Sequence, residues 1–385
     1  MVSLSDLCEI NIGRTPSRSV RKYWGAGAPW LSIADMNQGR HISVTKEQIT
    51  ESAIQDANMR LVPKGALLLS FKLSIGKVSI AKVPLYTNEA IAALLIRNSE
   101  RVLPEYLYWC LKTIDLTAGQ DRAAMGLTLN KAKLAVVNIP LPPMAVQCRI
   151  AAILDLADEL RVKRREALAQ LDSLTQSIFL EMFGNPVTNP KNCVASSLGE
   201  AISEMQYGPR FYDEAYSPEG VRIVRITDLD SSGGLDFDSM PRMAIDEETH
   251  SQYMLRPGDI VFARTGATVG KIALINQSAP PCIAGAYFIR LQFKNYLLPE
   301  YAYAALRTNS IQAIIAAQSR QAAQQNFSGP GLRRLPMPIP SLSLQHEFKS
   351  RMLMVYKSIE VHQKSLAQLS ELFLSLQHRA FRDEL

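Results

Sequence analysis

Cysteine is scarce. The 385-residue chain holds five (Cys8, Cys110, Cys148, Cys193, Cys282), scattered and without a C-x-x-C pair. That scatter points to free thiols in a reducing, cytoplasmic setting rather than to a disulfide framework. No apolar run approaches the ~18 residues that a membrane span requires, so no membrane partner is expected. The opening "MVSLSDLCEI" has neither a basic n-region nor an apolar h-region, so no signal peptide is expected. The closing "RDEL" then reads as a charged helix end rather than a retention signal. The five histidines (His41, His250, His346, His362, His378) form no zinc spacing with the cysteines. A phosphate-binding G-x-x-x-x-G-K-[ST] loop is missing: "GATVGKI" has glycines only four apart and Ile272 where Ser or Thr is needed. "GNPVTNP" (184–190) lacks the aromatic with which an adenine-methylating N-P-P-[YF] box stacks a flipped base. No Ser/His/Asp set or carboxylate pair stands out. The expectation is a binding protein with no catalytic residue, no metal and no cofactor of its own.

What the chain does have, it has twice. "LAQL" occurs at 168–171 and again at 366–369. At that same offset Pro140 and Pro142 meet Pro338 and Pro340, Gln147 meets Gln345, and Phe183 meets Phe381. Upstream, "LPEYLYWCLKT" (103–113) answers "LPEYAYAALRT" (298–308). "LVPKGALLLSFKLSIGKVSI" (61–80) aligns with "LRPGDIVFARTGATVGKIAL" (255–274), and "LSIADM" (31–36) with "VRITDL" (224–229). The small drift in offset needs only short loop insertions. A period near 200 residues lets each copy hold its own core. With 47% hydrophobic residues and a mean hydropathy of −0.02, a soluble tandem of two globular copies follows.

Each copy ends in a long amphipathic stretch. In the first, Ile150, Ala157, Leu171 and Ile178 form one heptad row, interrupted by Arg164, which is expected to pair with a carboxylate across the seam. A second row is read through Ile153, Leu160, Ala167 and Leu174, with Leu154, Leu168 and Met182 widening the stripe. The last stretch runs Phe348, Met352, Val355, Ile359, His362, Leu366, Leu369, Phe373, Leu376 and Ala380, in steps of four and three. Such sustained heptads predict coiled-coil-like pairing, with His362 as a polar insert that fixes register. Two helices packed separately on their own domains is the competing arrangement. "VVNIPLPPMAVQ" (136–147) and "LRRLPMPIPSLSLQ" (332–345) place a proline strut before each helix.

The remainder reads as short strands ("GALLLSF", "GKVSIAKV", "GDIVFART", "VGKIALI") and short helices opened by Pro-Glu. The predicted fold is α+β: two tandem mixed domains and two long antiparallel helices with pseudo-two-fold symmetry. The expected boundaries are a first domain at 1–144, a central helix at 145–184, a second domain at 185–341 and a last helix at 342–385. A helix of this length spans about 58 Å at ~1.5 Å per residue, which suggests a dumbbell.

Charge is unevenly spread. Residues 1–145 hold 17 Lys+Arg against 11 Asp+Glu, while 146–385 hold 25 of each. The excess peaks in "GRTPSRSVRKYW" (13–24), where basic and aromatic residues interleave as phosphate- and groove-reaching loops do.

These stretches bring a family into view. "NIGRTPSRSVRKYWGAGAPWLSIADM", "MQYGPRFYDEAYSPEGVRIVRITDL", "SFKLSIGK", "GDIVFARTGATVGK" and "LTLNKAKLAVVNIPLPPMAVQ" with the helix after it closely resemble the specificity (S) subunit of type I restriction–modification systems. The resemblance covers almost the whole chain. It implies two target-recognition domains that read a split, asymmetric sequence in double-stranded DNA. It also implies assembly with two modification (methyltransferase) subunits and with restriction (endonuclease/translocase) subunits. S-adenosylmethionine, ATP and Mg would be used by those partners. One departure is that residues 185–335 carry 14 Lys+Arg and 14 Asp+Glu, so the second domain has no electrostatic excess.

Base reading needs Arg, Lys, Asn, Gln, Ser or Thr on exposed elements. Three places per copy qualify. The loop after the first glycine offers Arg14, Thr15, Arg18, Arg21, Lys22 and Tyr23, then Arg210 and Tyr212. The strand connection offers Lys72, Ser74 and Lys77, then Arg264, Thr265, Thr268 and Lys271. The segment before the proline strut offers Arg122, Asn130 and Lys131, then Arg320, Gln321, Gln324, Gln325 and Asn326. In that last segment Asn326 or Ser328 could instead cap a helix. Two other functions fit the same architecture. One is a coiled-coil scaffold without DNA affinity. The other is a detached recognition subunit serving a fused restriction–modification enzyme.

Overall fold

The computed structural model describes residues 1–72, 74–116, 129–210, 215–230, 233–245, 250–319 and 325–382. The chain divides into two compact units, Met1–Lys163 with Leu366–Leu385, and Arg164–Ser365. The division runs through both long helices, Met144–Phe183 and Leu342–Ala380, so each unit contains a segment of each.

In the first unit a five-stranded sheet has the order Cys8–Ile12, Ile91–Ile96, Leu67–Ser70, Val78–Ala81, His41–Ile42, antiparallel except for the last pair. Its central strands are almost wholly apolar, with Ser70 and Ser79 the buried exceptions, because both faces are covered. Alternation sends Leu67, Leu69, Ala92 and Leu94 into a core beneath helix Pro104–Thr113, and Leu68, Ile91 and Ala93 into a second core with Leu31, Met36 and Ile42. A three-stranded sheet, Glu47–Ile49, Trp24–Leu31, Tyr86–Thr87, completes the unit, its last pair parallel.

The second unit repeats this plan. Its main sheet runs Ile202–Tyr207, Phe288–Phe293, Ile260–Ala263, Ile272–Leu274, and its smaller one Arg242–Met243, Val221–Val224, Cys282–Ala284, again with a parallel last pair. Ile260 and Phe262 face one core while Val261 and Ala263 face the other.

The duplication reaches individual hydrogen bonds. Gln147 accepts from the Leu103 amide (2.9 Å) and donates to the carbonyls of Arg101 (3.0 Å) and Pro142 (2.9 Å). Gln345 accepts from Leu298 (2.8 Å) and donates to Tyr296 (3.0 Å) and Pro340 (2.9 Å). The Tyr106 hydroxyl donates to the Pro140 carbonyl (2.8 Å), and that of Tyr301 to Pro338 (2.6 Å). Each glutamine thus satisfies one carbonyl of the proline strut and two backbone groups just ahead of the Pro-Glu helix, tying the two segments together. Gly13 and Gly208 also correspond. A Cβ on either would stand 2.2 Å from a carbonyl oxygen, of Thr87 or of Ala284, so neither position tolerates a side chain.

Within the second unit the long helices pack antiparallel: Arg164 meets His362, while Phe179 and Phe183 meet Phe348 at ring-centroid distances of 5.8 and 5.3 Å. Phe179, Phe183, Tyr301, Phe348, Met352 and Val355 share one core, with Leu171, Ile178 and Ile359 against it. In the first unit Ile150, Ala151, Leu154 and Ala157 lie in a core with Phe373 and Ala380, and Leu376 packs on it. Ile153 is half-buried, as are Leu366 and Leu369. Leu160 and Leu174, expected in the seam, are instead each 45% exposed. The inward row is Leu154, Arg161, Leu168, Thr175 and Met182: Arg161 lies over the Phe373 ring at 4.2 Å, and Thr175 is 1% exposed. Leu154, Leu168 and Met182 of this row are the residues read as widening the stripe, and the polar Arg161 and Thr175 between them are the positions that a hydrophobic count passes over. The carboxylate expected opposite Arg164 is also replaced, by the imidazole of His362.

Polar contacts fasten the helix Met144–Phe183 in both units. Asp155 accepts from Arg40 (2.6 Å) and from the Trp109 indole (2.6 Å). Asp172 accepts from Arg307 (2.6 Å).

Candidate nucleic-acid interface

In the first unit the basic loop is tied back on itself. Arg18 grips both carboxylate oxygens of Glu47 and lies over the Trp24 ring at 3.8 Å. Those hydrogen bonds hold Glu47 below the usual carboxylate range. Lys22 pairs with Asp56 at 3.4 Å, and the Tyr23 hydroxyl donates to the same carboxylate at 3.0 Å, which raises its pKa. Thr15 donates to Glu89, and Arg14 to the Ala57 carbonyl at 3.1 Å. Arg21 is exposed. Glu47 and Asp56 therefore pair with two of the four basic residues that the local sequence displays, a difference from the bare basic loop that composition suggests.

The other first-unit candidates are spread out. Lys72 sits 5.5 Å from the Phe71 ring centroid, the Lys77 amine donates to Asn37 at 2.6 Å, and the Ser74 carbonyl accepts from Ser70. Asn130 caps the short helix Lys131–Ala135 by accepting from the Lys133 amide at 2.8 Å, a local structural role. Lys131 is exposed. Arg122, Tyr212, Arg320, Gln321 and Gln324 lie outside the described residues.

In the second unit two candidate places come together. Phe327 donates its amide to the Arg264 carbonyl (2.8 Å), Gly266 donates to Gln325 (3.0 Å), and Thr265 and Asn326 form an antiparallel bridge. This lays 325–327 beside 264–266. The Arg264 guanidinium stacks over Tyr207 at 4.8 Å and donates from Nε to Asn326 Oδ1 at 3.4 Å. Tyr207 in turn accepts from the Gly329 amide at 3.1 Å. Ser328, not Asn326, caps the following helix, accepting from Gly331 at 3.2 Å. Thr268 donates to the Thr265 carbonyl at 3.2 Å, within the same turn. Arg210 is exposed. Lys271 lines a cleft of about 260 Å³ with Asp172, Asp230 and Arg307. Tyr207 and Tyr287, 40% and 59% exposed, were absent from the residues singled out in the sequence. The signal was available for Tyr207, which directly precedes the glycine that corresponds to Gly13.

Among the described residues, no group of three or more His, Cys, Asp or Glu is placed to hold a metal ion, and no helix is long and apolar enough to cross a membrane.

Residues 1–170 and 197–371 both match the family model described as the type I restriction modification DNA specificity domain. The chain belongs to that family. The MjaIX specificity subunit of Methanocaldococcus jannaschii is 32% identical over 187 residues, covering 47% of this chain and 42% of that subunit. The chain thus spans under half the length of that relative. The MjaVIII specificity subunit of the same organism is 20% identical over 389 residues, covering 96% of this chain and 89% of the relative. Among solved structures, the S subunit of a type I restriction–modification system from M. genitalium shares the fold, with a TM-score of 0.57 at 15% identity, over 98% of this chain and 95% of that one. The family model's doubled match agrees with this chain's repeated glutamine, tyrosine and glycine contacts.

Proposed function

We propose that this chain is the non-catalytic specificity subunit of a type I restriction–modification complex. Each domain reads one half of an interrupted duplex sequence, and the paired long helices set the gap between the halves. Two modification subunits dock on the chain and restriction subunits join them. S-adenosylmethionine, ATP and Mg are used by those partners in the cytoplasm. Target-recognition domains at 1–144 and 185–341, with helices at 145–184 and 342–385, are the divisions of labour in this reading.

One observation carries it. The two units keep the same frame, down to the bonds of Gln147 and Gln345, yet the residues exposed around Gly13 and Gly208 differ. A conserved frame with divergent rims suits two sensors of one duplex that read different bases. Methylation mapping with the chain and its modification subunit tests this. A split motif with unlike halves is expected. A single undivided motif, or no sequence preference, would sink the proposal.

A further inference from the structure

Three positions set the second unit apart from the first. Phe71 and Arg264 correspond, because each follows the last paired residue of its strand (Ser70 with Ile91, Ala263 with Phe288) and donates its amide to the residue just before the partner strand, Phe71 to Ala90 (3.0 Å) and Arg264 to Tyr287 (2.9 Å). Ile12 pairs with Ala92 as Tyr207 pairs with Ile289. So Ile12, Phe71 and Ala90 in one copy stand where Tyr207, Arg264 and Tyr287 stand in the other. An apolar trio, with Phe71 2% exposed, has become an arginine flanked by two exposed tyrosines.

The arginine is held in place. Its planar face lies on Tyr207, whose hydroxyl is pinned by the Gly329 amide, and its Nε is taken by Asn326. Among the described residues no acceptor meets its two Nη groups. A guanidinium fixed by stacking and by its Nε presents the Nη fork with little rotamer entropy left to lose.

That fork fits either a phosphate or the O6/N7 edge of guanine. The surroundings favour the base. The side chains that touch it, Tyr207 and Asn326, are neutral, and residues 185–335 carry no net charge. A phosphate contact, needed equally at both halves, gives no reason for the first copy to place Phe71 there.

Resting on the DNA-reading function above, we propose that Arg264 is a specificity-determining residue that reads a guanine in the half-site of the second domain. Tyr207 and Asn326 are its positioning residues. The first domain has no counterpart of this contact.

The test is selection from a randomised duplex library by the full chain, with its modification subunit where the two co-purify, followed by sequencing. Wild type, Arg264→Ala and Arg264→Lys are compared, with melting curves on each. A single bidentate pair discriminates by about 5- to 150-fold. Arg264→Ala is expected to lose that preference for guanine at one position of one half-site and to keep every other position. Arg264→Lys is expected to retain part of it. An Arg264→Ala motif identical to wild type overturns the proposal. So does a uniform loss of affinity across all sequences with a shallower salt dependence, which marks a phosphate contact. A lowered melting point with both half-sites blurred marks a structural role and overturns it too. If wild type itself selects no sequence, the DNA-reading function fails, and the assignment of Arg264 fails with it.

Discussion

Arg164 Nη1 donates a 2.9 Å hydrogen bond to His362 Nδ1, and the two residues occupy equivalent places in the two copies, 198 positions apart. Arginine can only donate, so Nδ1 of His362 is the acceptor and its proton sits on Nε2. Both members are polar in a seam that is otherwise largely apolar. A double-mutant cycle with Arg164→Ala and His362→Ala is expected to give a coupling of about 0.5–1.5 kcal/mol. Replacing both with leucine should leave stability equal or higher, at some cost in register specificity. A coupling indistinguishable from zero in urea titrations would show the contact to be incidental.

Gln345 and Gln147 each satisfy three backbone groups while 0% and 1% exposed. Leucine fills nearly the same volume but pairs with none of them. At ~1 kcal/mol per lost bond, Gln345→Leu should cost about 3 kcal/mol. Chemical denaturation measures it, and a loss under 1 kcal/mol would mean that water replaces the side chain.

Thiol chemistry should sort by burial. Burial pushes Cys8 and Cys110 up to about 12 and Cys282 up to about 11, whereas Cys148 is exposed. A maleimide at pH 8 should modify Cys148 first and half-buried Cys193 more slowly. Cys8, Cys110 and Cys282 should react only after unfolding. Mass spectrometry of timed samples reads the order, and rapid labelling of Cys8 would contradict the packing.

Glu47 decides how free Arg18 is. Hydrogen bonds from Arg18 depress its pKa from 4.5. The pair's contribution to stability is therefore complete above that value and is lost as pH falls through the lower folded one. Glu47→Gln removes this acid-side slope and releases Arg18, adding one net positive charge. DNA affinity should rise, and the slope of log K against log salt should steepen by up to about one unit. An unchanged slope would place Arg18 outside the DNA contact.

The spacer can be lengthened. Four residues added at matched points of both long helices extend them by ~6 Å, or about two base-pair steps. The gap in the selected motif should widen accordingly. A gap of unchanged length rules out the helices as its ruler.

Sequence spacing alone carried the duplication and the two long helices, because heptads and repeated Pro, Gln and Tyr positions are one-dimensional signals. The same spacing misplaced part of the seam. Leu160 and Leu174 keep a seven-residue rhythm as well as Leu154 and Leu168 do, and only the partner helix decides which row turns inward. Gapless alignment also set Ser70 against Arg264. The strand pairing sets Phe71 there, since the loop of the second copy is one residue longer.

Periodicity thus determined the elements, their order and their twofold repetition, for it records which residues alternate between water and core. Tertiary structure alone decided which charges remain available. Glu47 reaches Arg18 from 29 positions away and Glu89 reaches Thr15 from 74, and the loop of Arg264 gains Asn326 from 62. Electrostatic and hydrogen-bonding partners are set by distance in space, which a local pattern does not encode.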